Sequence, residues 1–244
     1  MSQPPSSGRI AFFGGSFDPP HLGHLAVARA ARAALGLDAV LFAPVGVQPL
    51  KPAGQTALFE DRVAMTRLAI AGDPDFAISL ADAPKPSGAP NYTLETLQSL
   101  RKELPPGCTL YCLMGADSFV NLHRWHRAAE IPFVAPLIVA SRPGQPLDGL
   151  KALLPRGLTM EPAAAANLVD WNVDKSNIEL RCFSLSNQAG MRTPFYLMPG
   201  LDVEISASRI REQQVRAEPG SRAPGDELLP DAVSEYIRSR GLYR

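Results

Sequence analysis

No stretch of this chain approaches the run of about 18 apolar residues that a membrane-spanning helix needs, so no membrane role is expected. Nor is there a surplus of either charge. Twenty-four lysines and arginines stand against 24 aspartates and glutamates. Chains that bind nucleic acid or anionic membranes in bulk usually carry a positive excess, so no nucleic-acid partner is expected. A local cationic pocket for phosphates remains open. Cysteine is scarce: Cys108, Cys112 and Cys182 are odd in number, and two of them share one apolar stretch. They read as structural thiols rather than a disulfide framework, which points to the cytoplasm. Residues 1–8 are polar and rich in proline and serine. They lack the apolar segment of a secretory signal and read as a short disordered tail. No internal repeat is found.

What is present fits a globular α/β chain. An apolar share of 45% over 244 residues suffices for a full core. Strand-like and helix-like segments alternate. Residues 10–13 are an apolar run ending at Gly14-Gly15, the pattern of a buried strand that stops at a turn. Residues 22–35 are rich in alanine, with Gly36 beyond them, and predict a helix. Residues 39–43 predict a second strand and 44–55 a loop. Phe59, Val63 and Ile70 mark the apolar stripe of a helix that ends before Gly72. Residues 76–80 predict a third strand. Asn91 is the expected N-cap of a helix carrying Leu94, Leu97 and Leu104, stopped by Pro105-Pro106-Gly107. Residues 109–114, 137–140 and 195–198 predict three more strands. Ser206 is expected to cap a helix through Ile210 and Val215. Pro230 opens a last helix bearing Val233, Tyr236 and Ile237, closed by Gly241. Residues 145–190 resist division, although the alanine run 163–166 hints at a helix.

Such alternation predicts an α/β fold: a Rossmann-like, doubly wound parallel sheet with helices on both faces and a small C-terminal helical part. One domain is expected over residues 9–244, with 145–190 as an insertion of undefined extent. Ligands of such sheets bind beyond the carboxyl ends of the strands. The loops after Phe13, Ala43, Met114 and Ala140 are therefore where chemistry is sought.

The first of these loops reads Gly14-Gly15-Ser16-Phe17-Asp18-Pro19-Pro20-His21-Leu22-Gly23-His24. Glycines can take positive φ, and without a Cβ they let a phosphate approach the backbone. The start of the helix offers free N–H groups and the positive end of its dipole. His21 and His24 share one face of the first turn and can donate to phosphate oxygens. Zinc-binding pairs on helices are usually spaced i, i+4 with a third ligand nearby. Here the spacing is i, i+3 with no evident acidic partner, and no residue is assigned to a metal. A Gly-Gly pair is usually only a turn, and a lone histidine an ordinary surface or core residue. Each such reading explains one or two of these eleven residues and leaves the rest to chance.

The string resembles the signature of the nucleotidyltransferase superfamily, whose members share H-x-G-H, and is most similar to that of bacterial nicotinate-nucleotide adenylyltransferases. Four further stretches resemble that family in order: Asn91-Tyr92-Thr93; Gly115-Ala116-Asp117-Ser118 followed by Trp125; Ile205-Ser206-Ala207-Ser208-Arg209-Ile210-Arg211; and the ending from Leu229-Pro230 to Gly241-Leu242-Tyr243-Arg244. The resemblance implies transfer of AMP from ATP to nicotinate mononucleotide, with magnesium accompanying ATP. It implies His21, His24 and Arg211 as catalytic residues. Gly14, Gly15, Ser16, Phe17, Gly115 and Ser206 would bind ATP, and Lys51, Thr93, Asp117, Trp125 and Arg142 the acceptor. One departure stands out: where the family often has Pro-Pro-His-Lys, this chain reads Gln48-Pro49-Leu50-Lys51. Two competing readings are a relative with another acceptor, such as phosphopantetheine, and a non-catalytic adenine-nucleotide sensor. The sequence leaves oligomeric state open.

Overall fold

The computed structural model describes residues 7–50, 55–141, 148–163, 179–201, 205–215 and 223–244. Its strands are β1 (Ser7–Gly15), β2 (Ala39–Pro44), β3 (Phe76–Ile78), β4 (Gly107–Gly115), β5 (Leu137–Ala140), β6 (Leu158–Pro162), β7 (Arg181–Asn187) and β8 (Arg192–Met198). They form one sheet in the order β3-β2-β1-β4-β5-β8-β7-β6. The helices are α1 (Leu22–Leu35), α2 (Phe59–Ile70), α3 (Thr93–Glu103), α4 (Ala116–Val120), α5 (Ile131–Val134), α6 (Asp148–Ala152), α7 (Ala207–Val215) and α8 (Asp231–Arg240).

The sheet is mostly parallel, as expected. β1 pairs with β4, β4 with β5 and β5 with β8, all parallel. Residues 10–13, 110–114 and 137–140 are buried throughout, the continuous apolar pattern of strands covered on both faces. Phe13 lies beside Leu113 and Gly115 beside Ala140, so β1, β4 and β5 end at one edge. The order reverses at β1, the position where such sheets open a ligand crevice. The described residues fall into two compact units. One gathers those within Met1–Phe13, Val27–Val40 and Tyr92–Asp202; the other gathers those within Gly14–Ala26, Leu41–Asn91 and Val203–Arg244.

Several elements differ from expectation. β1 starts at Ser7, which takes two residues from the expected tail; residues 1–6 lie outside the described residues. β3 ends at Ile78, yet the Ser79 N–H still donates to the Phe42 carbonyl at 2.9 Å. Asn91 does not cap α3. Its Oδ1 accepts from the Val47 N–H and its Nδ2 donates to the Ala83 carbonyl, both at 2.9 Å, so it ties loops together instead. Leu104 is extended and lies past the helix. On α2 the buried face is Asp61, Arg62, Met65, Thr66, Ala69 and Ile70; of the expected stripe Ile70 is buried, whereas Phe59 and Val63 are half-buried.

The span 145–190 contains α6, β6 and β7. β7 and β8 form an antiparallel hairpin, with Gly190 at φ 77 in its turn, and β6 adds to β7 antiparallel. The hinted helix at the alanine run falls mostly on 164–166, outside the described residues. The C-terminal helical part is present: α7, a short 3-10 turn at Asp226–Leu228, and α8, which Gly241 closes in the left-handed region at φ 62.

Candidate active site

The loop leaving β1 does not owe its shape to left-handed glycines. Neither Gly14 nor Gly15 is in that region; Phe17 is, with φ 47. Such a backbone costs on the order of 1 kcal/mol or more in a non-glycine residue and persists only when the surroundings hold it. They do. Phe17 is 1% exposed, its ring is 5.6 Å from that of Phe42, and it meets the His24 ring edge-on at 4.9 Å. A Cβ on Gly15 would stand 3.1 Å from the Phe17 ring, so this glycine leaves room for the ring.

Three side chains clamp the loop. Arg62, 1% exposed, donates to the carbonyls of Ser16 at 2.7 Å, Val45 at 2.8 Å and Ala57 at 3.3 Å. Burial lowers its pKa, while the nearby Asp18 carboxylate works the other way. Asp18 is buried; its carboxylate accepts from the Thr56 N–H at 2.7 Å, the Ala57 N–H at 3.2 Å and the Tyr243 hydroxyl at 2.7 Å. Arg211, on α7, donates through Nη1 to the Asp18 carbonyl at 2.6 Å and through Nη2 to Ser208 Oγ at 3.2 Å. In addition the Ser16 hydroxyl donates to Gln48 Oε1 at 3.0 Å, so the loop that departs from the family pattern still reaches the signature.

His21 and His24 stack with ring centroids 3.7 Å apart. The His21 backbone N–H donates to His24 Nδ1 at 3.2 Å. That nitrogen is an acceptor, so in the neutral ring the proton sits on Nε2 and makes it a donor. Burial lowers the His21 pKa to about 4. Burial first, then the adjacent His21, pushes His24 well below the usual imidazole range. Both rings are therefore neutral at pH 7. Among the described residues the buried Nδ1 of His21 meets no hydrogen-bond partner, so it is available to a polar ligand. An open cleft of about 400 Å³ is lined by Thr56, Ser208, Arg211, Glu212 and Tyr243, among others. Ser206 directly precedes α7, is exposed, and its carbonyl accepts from the Ile210 N–H at 3.1 Å.

The described residues expected at the acceptor belong to the other unit, together with Gly115, which was expected at ATP. Thr93 opens α3, Gly115 ends β4, exposed Asp117 lies in α4, and half-buried Trp125 follows a 3-10 turn. Tyr92 and His126, their chain neighbours, face each other with ring centroids 4.5 Å apart, which brings the segments of Thr93 and Trp125 together. Lys51 and Arg142 lie outside the described residues. The sequence reading gave no role to Gln48, Arg62 or Tyr243, and none to Asp18 beyond its place in the signature. Arg62 carried one signal: a cation in the first turn of a helix, where the dipole disfavours it.

A signature loop between the first strand and helix of such a sheet, with paired neutral imidazoles and an arginine brought to it, defines a nucleotidyltransferase. The profile of the cytidylyltransferase-like family matches residues 12–213. A probable nicotinate-nucleotide adenylyltransferase of Gloeobacter violaceus is 36% identical, over 96% of each chain. Another, from Dechloromonas aromatica, is 35% identical over 100% of this chain and 99% of its own. Among solved structures, Plasmodium falciparum nicotinic acid mononucleotide adenylyltransferase complexed with NaAD superposes with a TM-score of 0.65 at 14% identity, covering 97% of both chains, which is a likeness of fold. The chain belongs to the nicotinate-nucleotide adenylyltransferases of the cytidylyltransferase-like family.

Proposed function

We infer that this enzyme transfers the AMP unit of ATP to nicotinate mononucleotide, giving nicotinate adenine dinucleotide and pyrophosphate for NAD biosynthesis. The full-length likeness to relatives of that name supports the reaction. The observation that carries the residue assignment is the convergence of His21, His24 and Arg211 on one loop.

An oxygen of the acceptor's 5′-phosphate bonds to the α-phosphorus of ATP, and the bond from that phosphorus to the bridging oxygen breaks. The attacking phosphate is already largely ionised at neutral pH, since its second pKa is about 6. No side-chain nucleophile is required. The protein must hold two anions together and offset the charge that develops. His24 donates from Nε2 to a phosphate oxygen, and His21 adds its own ring. Arg211 supplies charge, and a guanidinium has donors to spare beyond the Asp18 carbonyl. The backbone of residues 14–17, Gly115 and Ser206 completes the ATP contacts. Thr93, Asp117 and Trp125, with Lys51 and Arg142, take the acceptor, the indole stacking on its pyridine ring.

Magnesium is best treated as part of the ATP substrate. Among the described residues no group of three or more His, Cys, Asp or Glu could hold a metal ion, and the Asp18 carboxylate is already bonded to three donors. Bound with ATP, the ion would neutralise phosphate charge. Free thiols at Cys108, Cys112 and Cys182 accord with the reducing cytoplasm.

Pyrophosphate release with ATP and a panel of acceptors tests the reading. Release with nicotinate mononucleotide is expected, lowered on the order of 100-fold or more in His24→Ala. Release with phosphopantetheine alone would overturn it.

A further inference from the structure

Two tyrosines near one end of the chain make the same bond to different partners. Tyr236, on α8, donates to Asp61 Oδ1 on α2 at 2.8 Å. Tyr243 donates to Asp18 Oδ1 at 2.7 Å. Asp61 belongs to a helix. Asp18 sits in the middle of the signature loop, three residues before His21, and its own carbonyl receives Arg211.

The chain is shaped to deliver this second tyrosine. Gly241 stops α8, and the Leu242 N–H returns to the Ile237 carbonyl at 3.0 Å. Tyr243 then takes φ 61, a left-handed conformation rare for an aromatic residue, and is 7% exposed. Its hydroxyl reaches the Asp18 carboxylate from 225 residues on. Burial, then the Asp18 carboxylate, raises its pKa far above the usual phenol value, so it remains a donor at any working pH. A buried carboxylate that loses a donor moves or draws in water. Here the move would carry with it the peptide that holds Arg211 and leads into His21.

We propose that Tyr243 is a positioning residue for AMP transfer: through Asp18 its hydroxyl fixes the loop that bears the His21–His24 pair and receives Arg211. The proposal rests on the adenylyltransferase reading and adds a residue to it. A misplacement of about 1 Å in such a site can cost on the order of 100-fold in rate. Loss of one of three donors should cost about 10-fold in kcat.

The experiment compares Tyr243→Phe with Tyr236→Phe in the full chain. Each keeps its ring and loses one tyrosine–aspartate bond, so a purely structural role lowers both melting temperatures alike. We expect Tyr243→Phe alone to lower kcat about 10-fold, with the KM for nicotinate mononucleotide unchanged. In the ligand-free protein it alone should displace the NMR imidazole signals of His21 and His24. Unchanged kcat and unchanged signals in Tyr243→Phe would overturn the proposal, as would equal losses of kcat in both variants. If the unsubstituted protein released no pyrophosphate, the functional reading would fail. The imidazole signals would still decide whether Tyr243 positions the loop.

Discussion

A proton added to His21 would lie beside a second imidazole whose centroid is 3.7 Å away, inside the protein. Burial holds His21 at about 4 and His24 lower than usual, so the folded chain keeps both neutral where an unfolded chain would not. An unfolded histidine takes its proton near pH 6.5. The folded state therefore binds fewer protons between about pH 6.5 and pH 4. Stability from the neutral ring is complete above that window and is lost as pH falls through it. From pH 7.5 to pH 5 this one residue should remove about 2 kcal/mol. Urea unfolding at the two pH values measures the fall, and His21→Gln should show a smaller one. An equal fall in that variant would place the acid sensitivity elsewhere.

Among the elements, those whose burial is apolar and periodic were the most legible. α1 runs over the 14 residues 22–35, as its alanine content and Gly36 predict, and β5 coincides with residues 137–140. α2 was placed correctly, but of its expected stripe only Ile70 is buried, because its buried face includes Asp61, Arg62 and Thr66 and a hydrophobic stripe cannot reveal that. β7 was legible and overlooked: Phe183 and Leu185 alternate with Cys182, Ser184 and Ser186 ahead of Gly190, a hairpin pattern. The signature exposed the site's histidines, whereas its clamps come from residues 46 to 225 positions away and have no local pattern. Arg62 shows what such a clamp is worth. Replacing it with leucine leaves three carbonyls without their charged donor, and each such bond contributes about 1.5–3 kcal/mol. Arg62→Leu should lose at least about 3 kcal/mol in urea unfolding. A loss under about 1 kcal/mol would mean water replaces the guanidinium.

Across the whole molecule, the parallel strands β1, β4, β5 and β8 carry the enzyme fold, and β7 and β6 extend the sheet antiparallel. Sequence alternation revealed the first set because their continuous apolar runs stand out from the segments between them; the second set follows hairpin logic inside the span that resisted division. The switch at β1 puts the signature loop at the carboxyl edge, where an anion would meet a helix start and neutral donors. We propose that combination as a triphosphate pocket, and everything assigned to AMP transfer follows from it. Calorimetric titration of the intact chain with magnesium and a non-hydrolysable ATP analogue is the most direct check. One saturable site is expected, weakened at least about 10-fold when His21→Ala and Arg211→Ala are combined in a chain that still folds. No heat in the unsubstituted protein, or undiminished affinity in the double variant, would contradict it.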